Sequence, residues 1–359
     1  MKHYRAEGGA VITLASAPIV VRPYAAGDKT QWDHFVSRCP NATFFHLSGW
    51  KGIIEDVFRH RTHYLLAERG DTIVGVLPLA QVRSLAFGHS LVSLPFCVYG
   101  GCAAVDPEAI GKLHARATDL AKELDAEYLE LRNLETREPV WERQDLYVTF
   151  RKEILPEVEA NMMAIPRKQR AMVRKGIKAG LASEIDGSVE RFFALYADNV
   201  HRHGTPPFPK RYFSELKRVF GRDCEVLTVV DESGKPVSGV MSFYFRDEVL
   251  PYYAGDLAEA RDLAANDFKY WELMRRACDR RLRVFDFGRS KLGTGSFDFK
   301  KNWGFEPTPL AYEYALLKRK AIPQNNPLNP KYRLFIGLWK RLPVGVANLI
   351  GPHVSRHLG

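Results

Sequence analysis

Four places in this 359-residue chain carry side chains whose types and spacing can do chemistry. The first is the run Ile165-Pro166-Arg167-Lys168-Gln169-Arg170-Ala171-Met172-Val173-Arg174-Lys175-Gly176. On a helix, Arg167, Arg170, Arg174 and Lys178 fall along one face. Guanidinium forks on one face suit phosphate groups; a solvated basic helix is the other reading. Ala171, Val173 and Ile177 make a separate apolar edge. The second place is Val284–Arg289 (VFDFGR), a strand expected to be central. A charge buried there must be paired, so Asp286 and Arg289 either position an amine or pair with each other. The third is Phe297–Phe305, with Lys300 beside Lys301. An extended alternation turns Phe297, Phe299 and Lys301 to one side and Asp298 and Lys300 to the other. Only one lysine can then face a site, and Lys300 is the choice. The fourth is Tyr252-Tyr253-Ala254-Gly255. Tyr253 either donates a hydrogen bond or packs, and the glycine permits close backbone approach.

The elements that must position these residues occur twice. In the first half His63–Glu68 is strand-like, Arg69-Gly70-Asp71 turns and Thr72–Val82 returns. In the second, Glu225–Val230, Asp231–Lys235 and Pro236–Phe245 repeat the pattern. Gly-containing turns between apolar alternations predict hairpins. Each hairpin leads to a strand ending in aromatic-plus-glycine: Val98-Tyr99-Gly100-Gly101, then Tyr252 to Gly255. An amphipathic helix follows each, with Leu113, Ala117, Leu120 and Leu124 marking one and Phe268, Trp271, Met274 and Cys278 the other. Tyr128–Arg132 (YLELR) and Val284–Arg289 close the units. A helix between strands implies a parallel crossover and mixed sheets. Helical segments at Met162–Leu181 and Val189–His201 lie between the units.

Charge is distributed unevenly. The net formal charge is +10, yet no Asp or Glu follows Glu313, and eight Lys and Arg do. Without that tail the body is nearly neutral, which argues against general nucleic-acid binding. Five cysteines without a CxxC predict buried thiols in a reducing compartment. The pairs His60/His63 and His201/His203 read as loop or surface residues, and no metal site is expected. Residues 1–18 read as a flexible leader. Ser84–Val105 carries no charge but reads as strand pieces and a loop. Residues 331–358 mix Trp339 and aliphatics with cations, as membrane-surface helices do.

The doubled order of elements resembles the GNAT acyltransferase fold in tandem. More narrowly it resembles the FemAB (FemABX) family of peptidyl and aminoacyl transferases. The run at 165–176, Tyr252-Tyr253-Ala254-Gly255, Phe285–Ser290 (FDFGRS) and Phe297–Phe305 carry the likeness. They are most similar to the subgroup associated with exosortase and PEP-CTERM exopolysaccharide systems. The resemblance implies an α/β chain (α+β mixed sheets) with two GNAT-like domains at 19–155 and 156–320, the second holding the cleft, and a basic amphipathic tail at 321–359.

The resemblance further implies acyl transfer to an amine. That reaction needs a polarised carbonyl, a deprotonated amine and alignment of both. In GNAT-like sheets two parallel strands splay and free backbone N–H groups for the carbonyl. Lys300, Tyr253 and Asp286 are the implied catalytic residues. Arg289, Tyr99, Arg167, Arg170, Arg174, Lys175 and Trp303 are the implied substrate contacts. No bound cofactor is expected. Neither a coiled-coil arm nor a Q/R-x-x-G-x-G/A loop occurs, so the donor stays open between aminoacyl-tRNA and acyl-CoA. The implied acceptor is a phosphorylated or lipid-linked envelope precursor, either a peptidoglycan peptide or an exopolysaccharide amino sugar. The implied place is the cytoplasm, peripheral at the inner face of the membrane. An acyl-CoA-dependent GNAT and a non-catalytic protein that binds anionic glycans are the competing readings.

Overall fold

The computed structural model describes residues 17–84, 88–323 and 330–357. Residues 1–16 of the expected leader lie outside them. The first half contains β1 (Ile19–Pro23), α1 (Lys29–Arg38), α2 (Gly49–Phe58), β2 (Arg61–Thr62), β3 (Leu65–Arg69), β4 (Thr72–Leu77), β5 (Ala80–Ser84), β6 (Gly88–Val92), β7 (Ala103–Ala104), α3 (Pro107–Glu123), β8 (Tyr128–Asn133), β9 (Glu142–Gln144) and β10 (Tyr147–Glu153). The second contains α4 (Val158–Ala164), α5 (Arg167–Lys178), β11 (Ala182–Asp186), α6 (Glu190–His203), α7 (Lys210–Phe220), β12 (Cys224–Val230), β13 (Pro236–Phe245), β14 (Glu248–Asp256), α8 (Ala265–Asp279), β15 (Val284–Lys291), α9 (Gly295–Asn302), β16 (Pro307–Pro309) and β17 (Ala311–Leu316). Two helices follow, α10 (Pro330–Trp339) and α11 (Val344–Ser355).

Three sheets form, in the orders β1-β3-β4-β7, β2-β5-β6-β8-β17-β9 and β11-β12-β13-β14-β15-β10-β16. Each half holds one parallel pair, β6 with β8 and β14 with β15. The helices α3 and α8 make the two crossovers, as the repeat predicts. In α3 the Asp106 carboxylate accepts from Glu108 N at 2.8 Å and Pro107 occupies the first turn. Its Leu113, Ala117, Leu120 and Ala121 form the buried stripe.

Several local expectations give way. Thr72–Val82 is not one strand, because Pro78 has no N–H to give a ladder; β4 and β5 on either side of it join different sheets. Val98–Gly101 is a buried loop rather than a strand, and β6 ends at Val92. Pro166 splits the basic segment into α4 and α5. The boundary at 155/156 does not separate the sheets. β10, before it, pairs with β15, while β17, near the end of the second unit, pairs with β8. The halves trade strands, and aromatic packing fuses them further: Phe44 stacks on Phe243 at 4.4 Å between centroids within one core that draws on both halves.

Two glycines set close approaches. A Cβ on Gly176 would stand 2.8 Å from Phe268 Cβ, so α5 lies tightly on α8. A Cβ on Gly255 would drive into the backbone of Leu195 and Tyr196 in α6. Gly255 therefore serves helix packing and leaves no room for a substrate at its Cα.

The C-terminal helices pack on the body. His201 Nε2 donates to Leu342 O at 2.9 Å and His60 Nε2 to Arg356 O at 2.7 Å. Both histidines are buried, contrary to the surface placement read from sequence, because they donate to carbonyls that flank α11, Leu342 before it and its C-cap Arg356 after it. All five cysteines are buried and free. Gly255→Ala should lower unfolding stability by at least about 2 kcal/mol, whereas Gly187→Ala, which has nothing within 4 Å of its Cβ, should stay within about 0.5 kcal/mol. Denaturant unfolding of the two variants checks the contrast.

Candidate active site

The parallel strands of the second half part almost at once. β14 and β15 pair only at Glu248↔Val284 and Val249↔Phe285. Each strand is bulged just beyond, β14 at Tyr252 against β13 and β15 at Phe287-Gly288 against Phe150 of β10. Gly288 takes φ +66°, a conformation that favours glycine.

Lys300 holds that bulge. The segment expected to be extended is instead helix α9, whose N-cap Thr294 accepts from Phe297 N at 3.4 Å. Its last turn carries Lys300 beneath β15. The ammonium donates to the carbonyls of Phe287 at 2.7 Å, Gly288 at 3.1 Å and Arg289 at 3.0 Å. Lys300 is buried and Lys301 exposed. With three carbonyls on its three N–H groups, the ammonium has none left for an oxyanion, so the expected role gives way to a positioning one. Burial pushes Lys300 down to about 7, against the pull of Asp286.

Asp286 braces the bulge from within. Its Oδ1 accepts from Gly288 N at 2.7 Å and from the Tyr99 hydroxyl at 3.2 Å. Oδ2 has no hydrogen-bond partner among the described residues, and Arg151 Nε stands 3.3 Å from it. Arg151 also donates to Glu248, and Tyr99 bonds Thr149. Two buried carboxylates thus share one guanidinium. Burial raises Asp286 and, aided by the Asp286 charge and opposed by Arg151, raises Glu248 to about 7. Like charges at one cation favour a retained proton.

A polar cavity of about 340 Å³ opens in the first half, walled by Asn41, Thr43, His46, Tyr99–Cys102, Arg132–Glu135, Arg137 and, from the β10 strand that joins the second sheet, Arg151. Tyr99 and Arg151 belong both to this wall and to the acid cluster. Burial lowers His46 to about 4, so it is neutral: Nδ1 accepts from Thr43 N at 3.0 Å and Nε2 donates to Gly101 O at 2.9 Å. Arg132 is engaged by Glu130 at 2.7 Å and Cys97 O at 2.8 Å. Arg137 is less committed, with Glu135 4.0 Å away.

The other expected residues scatter. Tyr253 bonds Tyr212 at 3.0 Å inside an aromatic cluster with Phe208 and Phe213. No hydrogen bond joins it to Lys300, so the two do not converge. Arg289 stacks on Tyr147 at 4.4 Å and donates to Tyr312 at 3.2 Å; it does not pair with Asp286. Trp303 is core: its indole N–H and Gln169 both donate to Asp267, at 2.9 and 3.1 Å. Arg167, Arg174 and Lys175 stand exposed on α5, and half-buried Arg170 reaches Met163 O at 3.3 Å. Val173 belongs to the core while Ala171 and Ile177 are exposed, so the expected apolar edge does not form. Sequence reasoning missed Glu248, Arg151, Thr149 and His46. Arg151 and Thr149 carried no signal without the β10–β15 pairing, and Glu248 reads as a turn charge in Arg246-Asp247-Glu248.

The junction from β14 to α8 bears on the donor. Asp256, Glu259 and Asp262 stand there without a glycine between them. Asp256 is tied to buried Lys269 at 2.7 Å. A pyrophosphate needs free N–H groups and no opposing carboxylates; these residues do not fit the pyrophosphate of CoA.

Residues 167–301 match the family described as an acetyltransferase (GNAT) domain. In solved structures the chain is similar to FemX (TM-score 0.63, 16% identity, 88% of this chain and 100% of that one). It is also similar to L-PGS from Bacillus licheniformis (TM-score 0.53, 14% identity, 88% and 98%). A tandem GNAT protein from the clavulanic acid biosynthesis pathway aligns as well (TM-score 0.52, 14% identity, 83% and 98%). The fold is a tandem of two GNAT-like domains. The second half carries an acyltransferase domain of that class. A comparison with curated protein sequences gives no match.

Lys300→Met leaves three buried carbonyls unpaired and should cost about 2–4 kcal/mol of unfolding stability; a purely electrostatic role at an oxyanion would leave stability unchanged. Glu248 holds its proton to about 7 when folded and to about 4.5 when unfolded. Its contribution is therefore present below 4.5 and lost as pH rises through 7, by up to about 3 kcal/mol. Lys300 acts in the opposite sense above 7, where the unfolded chain holds the extra proton. Glu248→Gln should flatten the lower window alone, measured as unfolding midpoint against pH.

Proposed function

We propose that the protein is an N-acyltransferase of FemAB type that moves an aminoacyl group onto an amine of an anionic envelope precursor. One observation carries the reading. The first-half cavity shares Tyr99 and Arg151 with a buried acid pair at the point where β14 and β15 begin to part. The divergent strands free backbone N–H groups for a carbonyl. In this reading the acceptor amine sits in the cavity and passes its proton through the Tyr99 hydroxyl to Asp286; as the new C–N bond forms the donor's ester C–O bond breaks, and the departing tRNA hydroxyl takes up that proton. A carboxyl tuned towards neutrality suits that task. Arg137 meets an acidic group of the acceptor, which is a peptidoglycan peptide or an exopolysaccharide amino sugar.

The donor in this reading is aminoacyl-tRNA. The acidic β14–α8 junction opposes CoA, and the exposed cations Arg167, Arg174, Lys175 and Lys178 of α5 offer contacts for an RNA backbone.

Turnover with purified protein tests the proposal. Aminoacyl-tRNA should acylate an amine-bearing precursor and acetyl-CoA should not. Tyr99→Phe should lower kcat by about tenfold or more while the acceptor KM stays within about threefold. Turnover with acyl-CoA alone overturns the donor assignment. An unchanged kcat in Tyr99→Phe overturns the proton route.

A further inference from the structure

The two C-terminal helices bury one face and leave an unusual one outside. Ala347, Gly351 and Ser355 of α11 repeat every four residues and are buried. Ser355 Oγ donates to Pro207 O at 3.1 Å, and Trp339 of α10 is buried. The histidine contacts to Leu342 and Arg356 fix both helix ends. The outer face of such a surface helix is ordinarily polar. Here it carries Leu349, 74% exposed, with Ile350, Val346 and Leu338 also exposed.

Cations edge this apolar face. Lys340 and Arg341 are exposed between the helices, and neither forms an ion pair among the described residues. No carboxylate side chain occurs anywhere from Tyr314 to Gly359. An apolar patch rimmed by one sign of charge marks an interaction surface. A second copy would bring the same cations against themselves, since a two-fold contact uses the same patch on both sides. An anionic bilayer satisfies both features, taking aliphatic side chains at the headgroup–acyl boundary and cations at its surface. Among the described residues no helix is long and apolar enough to cross a membrane.

We infer that the outer face of α10 and α11 docks the protein on an anionic lipid surface through Leu338, Val346, Leu349 and Ile350, with Lys340 and Arg341 at the headgroups. The inference is independent of the identity of donor and acceptor. It places the body against the bilayer by a surface already formed in α10 and α11.

Sedimentation of the full chain with vesicles tests it, using phosphatidylcholine alone and phosphatidylcholine with a quarter phosphatidylglycerol. Pelleting should require the anionic lipid and weaken as salt rises. Leu349→Glu/Ile350→Glu and Lys340→Gln/Arg341→Gln should each reduce it by about tenfold or more. All four positions are exposed, and transfer to a soluble acceptor should be unaffected. Absence of pelleting with anionic vesicles overturns the inference, as does pelleting of both variants undiminished from that of the unaltered chain. Self-association that Leu349→Glu/Ile350→Glu disperses, without vesicle binding, assigns the face to a second copy and overturns it too.

Discussion

A lysine ammonium buried against three consecutive carbonyls fixes the Phe287-Gly288 bulge, and that bulge turns β15 away from β14. Parallel strands left to themselves would go on pairing, and every N–H along the inner edge of β14 would be consumed. Burying the charge is costly, and three acceptors at 2.7–3.1 Å compensate it. Asp286, whose Oδ1 accepts from Gly288 N, closes the same bulge from the opposite side. The two charges sit within one electrostatic field, so the shape of the gap and the protonation of its acids are coupled. A change at α9 reaches the acid pair without touching it.

The first half contains the same parallel pair but closes its own gap. Beyond Val92, Ser93 N donates to Glu130 O at 2.8 Å and Ser93 Oγ accepts from Arg132 N at 2.7 Å. Gly100 and Gly101 then both donate to Arg132 O. The chain between them, freed from any strand of its own, crosses to the second half. There Phe96 O accepts from Tyr252 at 2.8 Å and Tyr99 reaches Asp286. One copy of the fold has sealed its divergence and lends the closing loop to the other. The exchange of β10 and β17 between sheets makes that loan permanent, since neither half completes its sheet alone.

The repeat was legible because it is local. Hairpins, crossover helices and their order follow from alternation and periodicity within short windows. The charges on β15 were equally visible, and Asp286 does sit buried and paired. Their partners were not visible, because Arg151 arrives from a strand pairing 135 positions away in sequence from its acid. Lys300 was chosen over Lys301 by an extended alternation that a helix replaces, yet it is the buried one. Tyr253, Gly255 and Trp303 drew attention by type, and each is spent on packing instead. Large aromatics and glycines are what dense cores need, so their types alone do not separate a site from its support.

The position of the acids also restricts the chemistry. An amine acceptor is largely an ammonium at neutral pH and must give up a proton before it can attack a carbonyl. A solvated carboxylate is too weak a base for this, since its pKa lies near 4. Carboxylates taken out of water rise far enough, and a like charge beside them adds to the rise. Arg151 keeps the pair from neutralising outright by holding both acids at one guanidinium, and it does so from the cavity wall. An anionic acceptor entering the cavity would draw on that same guanidinium and raise the acids further. In the proposed reading, substrate charge and the proton affinity of the acids are linked through this one side chain.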